Sequence, residues 1–132
     1  MADPLYRLVC TAGFLDGAPE SWVTTMLQGG ELALLVDGGG LDAITALAHA
    51  LELVTVPLLR TEDTPAQQDS TVMSYAESKP LIWIAGGFGE AATRWARQRG
   101  PMTLLVETDG PLSDGERRRV ERFVVILGRQ AE

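Results

Sequence analysis

Short apolar runs alternate along the chain with segments of helical periodicity. Runs that are apolar throughout, instead of alternating with polar residues, are typical of strands covered on both faces. Pro57 cannot donate to a strand ladder, so the run that contains it is predicted to lie at a sheet edge or to end there. The predicted strands are Leu5–Cys10, Leu32–Val36, Leu53–Leu58, Leu81–Ala85, Thr103–Val106 and Phe123–Leu127.

Between these runs, apolar residues recur at spacings that place them on one face of a helix. The predicted helices are Pro19–Gln28, Leu41–Leu51, Glu90–Arg99 and a last one that opens at Ser113 and runs to about Arg122. Ser113 and Glu116 have the spacing of a capping box, in which each residue satisfies a backbone N–H of the other.

One stretch, Thr61–Lys79, is compatible with two structures. Thr64 and Gln67 also have capping-box spacing and favour a helix. Alternatively, Thr71–Tyr75 forms a strand that turns back into Leu81–Ala85, which would add an antiparallel pair. We favour a helix or an irregular loop.

The alternation of strands and helices over 132 residues predicts a single-domain α/β protein covering residues 1–132. We expect a three-layer sandwich with a mainly parallel sheet of five or six strands, in a Rossmann-like or flavodoxin-like arrangement. In such sheets, ligands bind beyond the carboxyl ends of the strands.

The chain is acidic, with a net charge of −7, and its charge is unevenly distributed. Residues 1–80 contain 11 acidic and 3 basic residues, whereas residues 81–132 contain 7 acidic residues and 8 arginines. An acidic protein repels phosphate backbones, so we expect no binding to nucleic acid. Without a long apolar run or a secretory leader pattern, we also expect no membrane association and a cytoplasmic location.

The catalytic chemistry open to this chain is narrow. Cys10 and His49 are the single cysteine and histidine. Cys10 lies in an apolar run and is predicted to be buried, whereas His49 lies opposite the apolar stripe of its helix and is predicted to face solvent. This leaves no base for serine or cysteine chemistry and no zinc site. Asp37, Glu107 and Asp109 stand at predicted strand ends, where carboxylates could bind Mg²⁺. Acidic residues in such loops usually cap helices and stay solvated, so we expect no metal and no cofactor.

Glycines and acids follow several predicted strands. The loop from Gly86 to Gly89 joins a strand to a helix, where backbone N–H groups and the helix dipole favour an anion. This loop resembles the glycine turn of Rossmann-like nucleotide binders, although Glu90 stands where those turns usually carry threonine. The candidate ligand-binding residues are Gly86, Gly87, Gly89, Asp37, Gly38, Glu107 and Asp109.

Arginines gather on the last predicted helix, where Arg117, Arg118 and Arg122 are candidates for binding a protein partner. We therefore interpret the chain as a non-catalytic binding or regulatory module that acts through a protein partner or as a homo-oligomer. The alternative is a protein or enzyme that binds a small anionic ligand, such as a nucleotide, at the glycine-rich strand ends. The sequence does not decide whether the chain is an enzyme. The missing base and nucleophile pair favour a protein without enzymatic activity.

Overall fold

Strands and helices alternate along most of the described chain, as the hydrophobic pattern predicts, although two helices follow one another directly between the second and third described strands. The computed structural model describes residues 5–15, 19–35, 40–50, 57–60 and 62–131. In chain order, the elements of these residues are β1 (Tyr6–Thr11), α1 (Glu20–Gly29), β2 (Gly30–Leu35), α2 (Gly40–Ala50), α3 (Pro65–Ala76), β3 (Leu81–Ala85), α4 (Glu90–Arg99), β4 (Thr103–Glu107) and α5 (Asp114–Ala131). Short 3₁₀ turns follow β1 at Ala12–Leu15 and α4 at Gly100–Met102.

The strands form one parallel sheet in the order β2-β1-β3-β4. Leu8 of β1 lies in register with Leu32 of β2 on one side and with Ile82 of β3 on the other. The chain therefore adds β2 on one side of β1 and continues on the other side with β3. This change of direction between β1 and β3 is the topological switch point of Rossmann-like and flavodoxin-like sheets.

The described residues form a sheet of four strands instead of the predicted five or six. The prediction of a strand at Phe123–Leu127 is wrong, because these residues belong to α5. Val120, Phe123, Val124 and Leu127 pack on the core at helical spacing. A continuous apolar run of five residues does not distinguish a strand from the buried stripe of a helix.

Most of the predicted strand Leu53–Leu58 lies outside the described residues. Its last residue, Leu58, forms a single parallel bridge with Leu34 of β2. The Leu34 N–H donates to the Pro57 carbonyl at 3.0 Å, and the Leu59 N–H donates to the Leu34 carbonyl at 3.0 Å. Residues 57–59 therefore lie along the outer edge of β2. In this position, Pro57 accepts a hydrogen bond through its carbonyl, and the backbone N–H that proline lacks is not required.

The stretch with two possible structures is helical. The Thr64 hydroxyl accepts from the Gln67 N–H at 3.2 Å and caps α3, with Pro65 at the first helical position. The N–H of the first helical residue makes no hydrogen bond within the helix. Proline, which lacks this N–H, therefore fits the position and supports the helix start. The hairpin alternative is wrong, because Thr71–Tyr75 lies inside α3.

Two apolar cores cover the two faces of the sheet. On one face, Trp22, Val23 and Met26 of α1 pack with Val120 and Leu127 of α5. On the other face, the buried residues come from α3, α4 and the opposite sides of the strands, and they are Val9, Ala33, Val72, Ala76, Leu81, Trp83 and Ala92. The helices therefore lie in two layers around the sheet.

Helices α3 and α4 end in the same uncommon backbone conformation. Glu77, after α3, has φ 51° and ψ −126°, and Gly100, after α4, has φ 62° and ψ −130°. Two arginine side chains hold the turn that contains Glu77, because Arg7 donates to the Tyr75 carbonyl and Arg99 donates to the Lys79 carbonyl. The fold thus fixes a conformation that glycine adopts freely and glutamate does not.

Candidate functional site

The carboxyl ends of β3 and β4 bring three of the predicted ligand-binding residues together. The Thr108 N–H donates to the Ala85 carbonyl at 3.0 Å and holds the two strand exits side by side. A Cβ placed on Gly87 would lie 3.5 Å from Glu107 Oε1, and one on Gly86 would lie 3.8 Å from the Thr108 carbonyl oxygen. Gly86, Gly87 and the exposed Glu107 therefore share one surface.

The other predicted residues of this site are distributed differently. Asp109 is exposed in the bend after β4. Asp37 and Gly38 lie outside the described residues, so their part in the site stays a prediction.

The N-terminus of α4 already faces a carboxylate of the protein itself. The Gly89 N–H donates to Asp69 Oδ2 at 3.2 Å, and Asp69 comes from α3. Burial raises the pKa of the Asp69 carboxyl, while the Gly89 hydrogen bond acts in the opposite direction. An incoming anion would meet the carboxylates of Asp69 and Glu107 at this edge, while Glu90 beside them pairs with Arg94 at 3.1 Å. The two carboxylates disfavour phosphate.

Sequence reasoning missed Asp69 because its contact with Gly89 spans 20 residues and joins two different helices. The described residues also contain no group of three or more histidine, cysteine, aspartate or glutamate side chains arranged to hold a metal ion.

The switch point between β1 and β3 is filled by apolar residues on the side of α1 and α5. The Leu112 N–H donates to the Phe14 carbonyl at 3.1 Å, which draws the β4–α5 loop onto the 3₁₀ turn that follows β1. Leu15 and Leu112 are both buried in the core on this side. Among the described residues, apolar packing therefore closes the side of α1 and α5 at this point.

A groove of about 580 Å³ runs between α1 and α5. Trp22 is 8% exposed and lies in this groove with Met26, and Val124 and Val125 line it from α5. Arg117 and Glu121 add charge, and Pro19, Ser21 and Thr25 complete the lining. The groove thus combines an aromatic and aliphatic lining with charged groups at its side.

The three candidate arginines of α5 differ in their surroundings. Arg117 is half-buried, donates to the Leu112 carbonyl at 2.9 Å and pairs with Asp114, so it holds the start of α5 in place. Arg118 and Arg122 are exposed, and within the described part of the chain neither has an ion pair. Arg118 and Arg122 are therefore available to a partner, whereas Arg117 has a structural role.

Two apolar side chains next to these arginines face solvent. Val125 is 52% exposed and Ile126 is 44% exposed. Sequence reasoning missed them as surface residues because it placed both in a buried strand. The signal that could have found them is the length of the apolar run, which exceeds what one stripe of a helix can bury.

A second, polar groove of about 370 Å³ lies on α3. Its lining residues are Arg60, Glu62, Gln67, Ser70, Thr71 and Ser74. Hydrogen bonds from Thr71, at 2.8 Å, and from Arg60 hold the pKa of Glu62 below its usual range. Arg60 and Glu62 pair with each other through Arg60 Nε, and the remaining lining consists of hydroxyl and amide groups.

The single cysteine and histidine lie apart from all of these surfaces. Cys10 is fully buried, and burial raises the pKa of its thiol to about 12. His49 is exposed on α2. The prediction of a buried cysteine and a solvent-facing histidine is confirmed, and neither side chain is placed to act as a nucleophile or base at the strand ends.

These features define an α/β protein with a parallel sheet and with helices on both faces. Comparisons with protein-family models, with curated proteins and with solved structures give no match. Among the described helices, none has the length and apolar character needed to cross a membrane.

Proposed function

We propose that this protein is a non-catalytic interaction module and that the α1–α5 face is its binding surface. The observation that carries the proposal is the groove lined by Trp22, Met26, Val124 and Val125. Aromatic and aliphatic side chains that form a pocket beside charged groups are the usual anatomy of a protein–protein interface. The exposed Val125 and Ile126 extend the apolar surface beyond the groove.

The charges around this surface support a protein partner over a small ligand. Arg118 and Arg122 project from α5 without an ion pair in the described residues, next to Glu121 in the groove. Arginine pairs strongly with carboxylates when a partner desolvates it, and interfaces are enriched in it. A mixture of apolar residues and unpaired charges gives orientation as well as affinity.

A small-molecule site at the strand ends is the second candidate. The observation that favours it is that Gly86 and Gly87 have room for a Cβ and no left-handed backbone. Turn geometry alone therefore does not require glycine at these positions, whereas close approach of a ligand to the backbone would. The carboxylates of Asp69 and Glu107 direct this candidate toward neutral or cationic ligands instead of the expected anion.

Native mass spectrometry of the full chain, purified gently from the cells that normally produce it, separates the two candidates. For the interaction module, we expect a discrete complex with a second protein chain, and we expect it to be lost in Val125→Asp and kept in Gly87→Val. The Gly87→Val variant should fold, because its Cβ makes only an ordinary contact of 3.5 Å with Glu107. A bound mass of a few hundred daltons that is lost in Gly87→Val and kept in Val125→Asp would instead support the small-molecule site and refute the proposal.

A further inference from the structure

The exposed side of α5 carries a pattern of charges that complements itself. Glu121, Val125 and Arg129 follow one another at intervals of four residues, so they lie on the same side of the helix. All three are exposed, and no ion pair of Glu121 or Arg129 exists among the described residues. The stripe thus has a negative end, an apolar centre and a positive end.

From this pattern we infer that the occupant of the α1–α5 face is a second copy of this chain, with the two α5 helices antiparallel and crossing at Val125. This inference rests on the proposed function of that face. In an antiparallel pair centred on Val125, residues whose numbers add to 250 lie opposite each other. Glu121 of each copy then faces Arg129 of the other, which gives two symmetry-related ion pairs around a central pair of valines.

Charge selects the antiparallel arrangement over the parallel one. A parallel pair would place Arg118, Arg122 and Arg129 opposite their own copies and bring like charges together. An independent acidic partner would match the arginines but would leave Glu121 facing another negative charge. A second copy in antiparallel orientation is the occupant that provides a partner for Glu121 and for Arg129 at the same time.

A glycine in the same helix supports a close approach at this place. Gly128 lies inside α5, where glycine lowers helix stability relative to alanine. A Cβ on Gly128 would meet nothing within 4 Å, so packing within the described chain does not require glycine there. In the antiparallel pair, Gly128 faces Arg122 of the second copy, and the missing side chain lets the helices approach closely.

The test is a charge exchange measured on the purified full chain by analytical ultracentrifugation. We expect a wild-type dimer. Glu121→Arg and Arg129→Glu should each raise the dimer dissociation constant about thirtyfold, because each converts two attractive pairs of exposed charges into repulsive ones. An equimolar mixture of the two variants should form a heterodimer, since both facing pairs are again of opposite sign, and the double variant should recover the homodimer.

Two further variants control for folding and position. Gly128→Leu places a side chain in open space, so it should fold but hinder the close approach and weaken the dimer at least tenfold. Arg97→Glu makes the same charge change on an exposed site of α4 and should leave the dimer unchanged. Circular dichroism of each variant shows that it is folded.

The outcomes that overturn the inference also show whether the proposed function survives. A dimer that is lost in Val125→Asp but insensitive to the charge exchange would overturn the antiparallel register and keep the α1–α5 face as the interface. A wild-type chain that stays monomeric at high micromolar concentration would overturn self-association. The native mass spectra would then decide the proposed function, which fails if no second protein chain is bound or if its binding does not depend on Val125.

Discussion

Replacing Glu77 by glycine should stabilise the protein, because it removes a strained backbone position at the end of α3. Glu77 has φ 51° and ψ −126°, a region in which the Cβ of an L-residue is crowded by its own backbone. Its side chain is exposed and makes no hydrogen bond or ion pair within the described chain. Glycine therefore relieves the strain without removing a contact.

The same conformation at Gly100 sets the scale and provides the matched control. A non-glycine residue held in a sparsely populated region costs about 1–3 kcal/mol, whereas glycine costs about 0.4–1 kcal/mol through its freedom in the unfolded chain. The difference between these costs predicts that Glu77→Gly raises the free energy of unfolding by about 1 kcal/mol. Gly100→Ala should lose a similar amount, because a Cβ there meets nothing within 4 Å and only the backbone strain acts.

Urea and thermal denaturation, followed by tryptophan fluorescence and circular dichroism, measure both changes. A difference of 1 kcal/mol shifts Tm by about 4 °C in a domain of this size, and the dependence on urea concentration should keep its slope. The decisive result is the opposite sign at two positions with the same dihedral angles. If Glu77→Gly destabilised the protein as much as Gly100→Ala, the account of strain at Glu77 would be refuted.

Three further predictions concern the core, a helix cap and the cysteine. Gly30→Ala should cost about 2 kcal/mol in denaturation experiments, because its Cβ would overlap the buried Tyr6 ring, and part of this loss should disappear when Tyr6 is replaced by leucine. Glu116 accepts from the Ser113 N–H at 2.9 Å, which lowers its pKa. The stabilisation by Glu116 is therefore fully present at pH values above its ordinary pKa of about 4.5 and is lost as the pH falls through the lower folded pKa. Glu116→Gln should flatten the pH dependence of the free energy of unfolding in this range. Cys10 should resist a thiol reagent at pH 8 in the folded protein and react on unfolding, because burial raises its pKa to about 12; fast reaction of the native protein would contradict this.

The sequence allowed most of the fold to be predicted where a local pattern decided the structure. The run Leu81–Ala85 is a strand with the predicted bounds, and Glu90–Arg99 is a helix with the predicted bounds. Glycines mark the ends of both segments, Gly86 after the strand and Gly100 after the helix. The apolar residues of each segment fit a single type of secondary structure. The capping box of Ser113 and Glu116 also forms as predicted, because both of its hydrogen bonds are local.

The candidate site could be predicted only in part, since its decisive contacts depend on which strands become neighbours. That Gly87 and Glu107 lie together follows from the adjacent positions of β3 and β4, and the sequence alone does not determine the strand order. The contact between Asp69 and Gly89 could not be predicted, because it joins the middle of α3 to the start of α4. No local spacing encodes such a contact, and it changes the charge of the site.

The wrong strand at Phe123–Leu127 points to the same surface as the proposed function. A helix that only covers a core needs apolar residues on one stripe, and Phe123, Val124 and Leu127 already provide it. Val125 and Ile126 go beyond this need, so they make the run continuously apolar and at the same time remain exposed. The feature that imitates a strand is thus an excess of apolar residues that this chain does not bury by itself. In a helix that also contains a costly glycine at position 128, such an excess is the surface that the proposed antiparallel pair of α5 helices would bury.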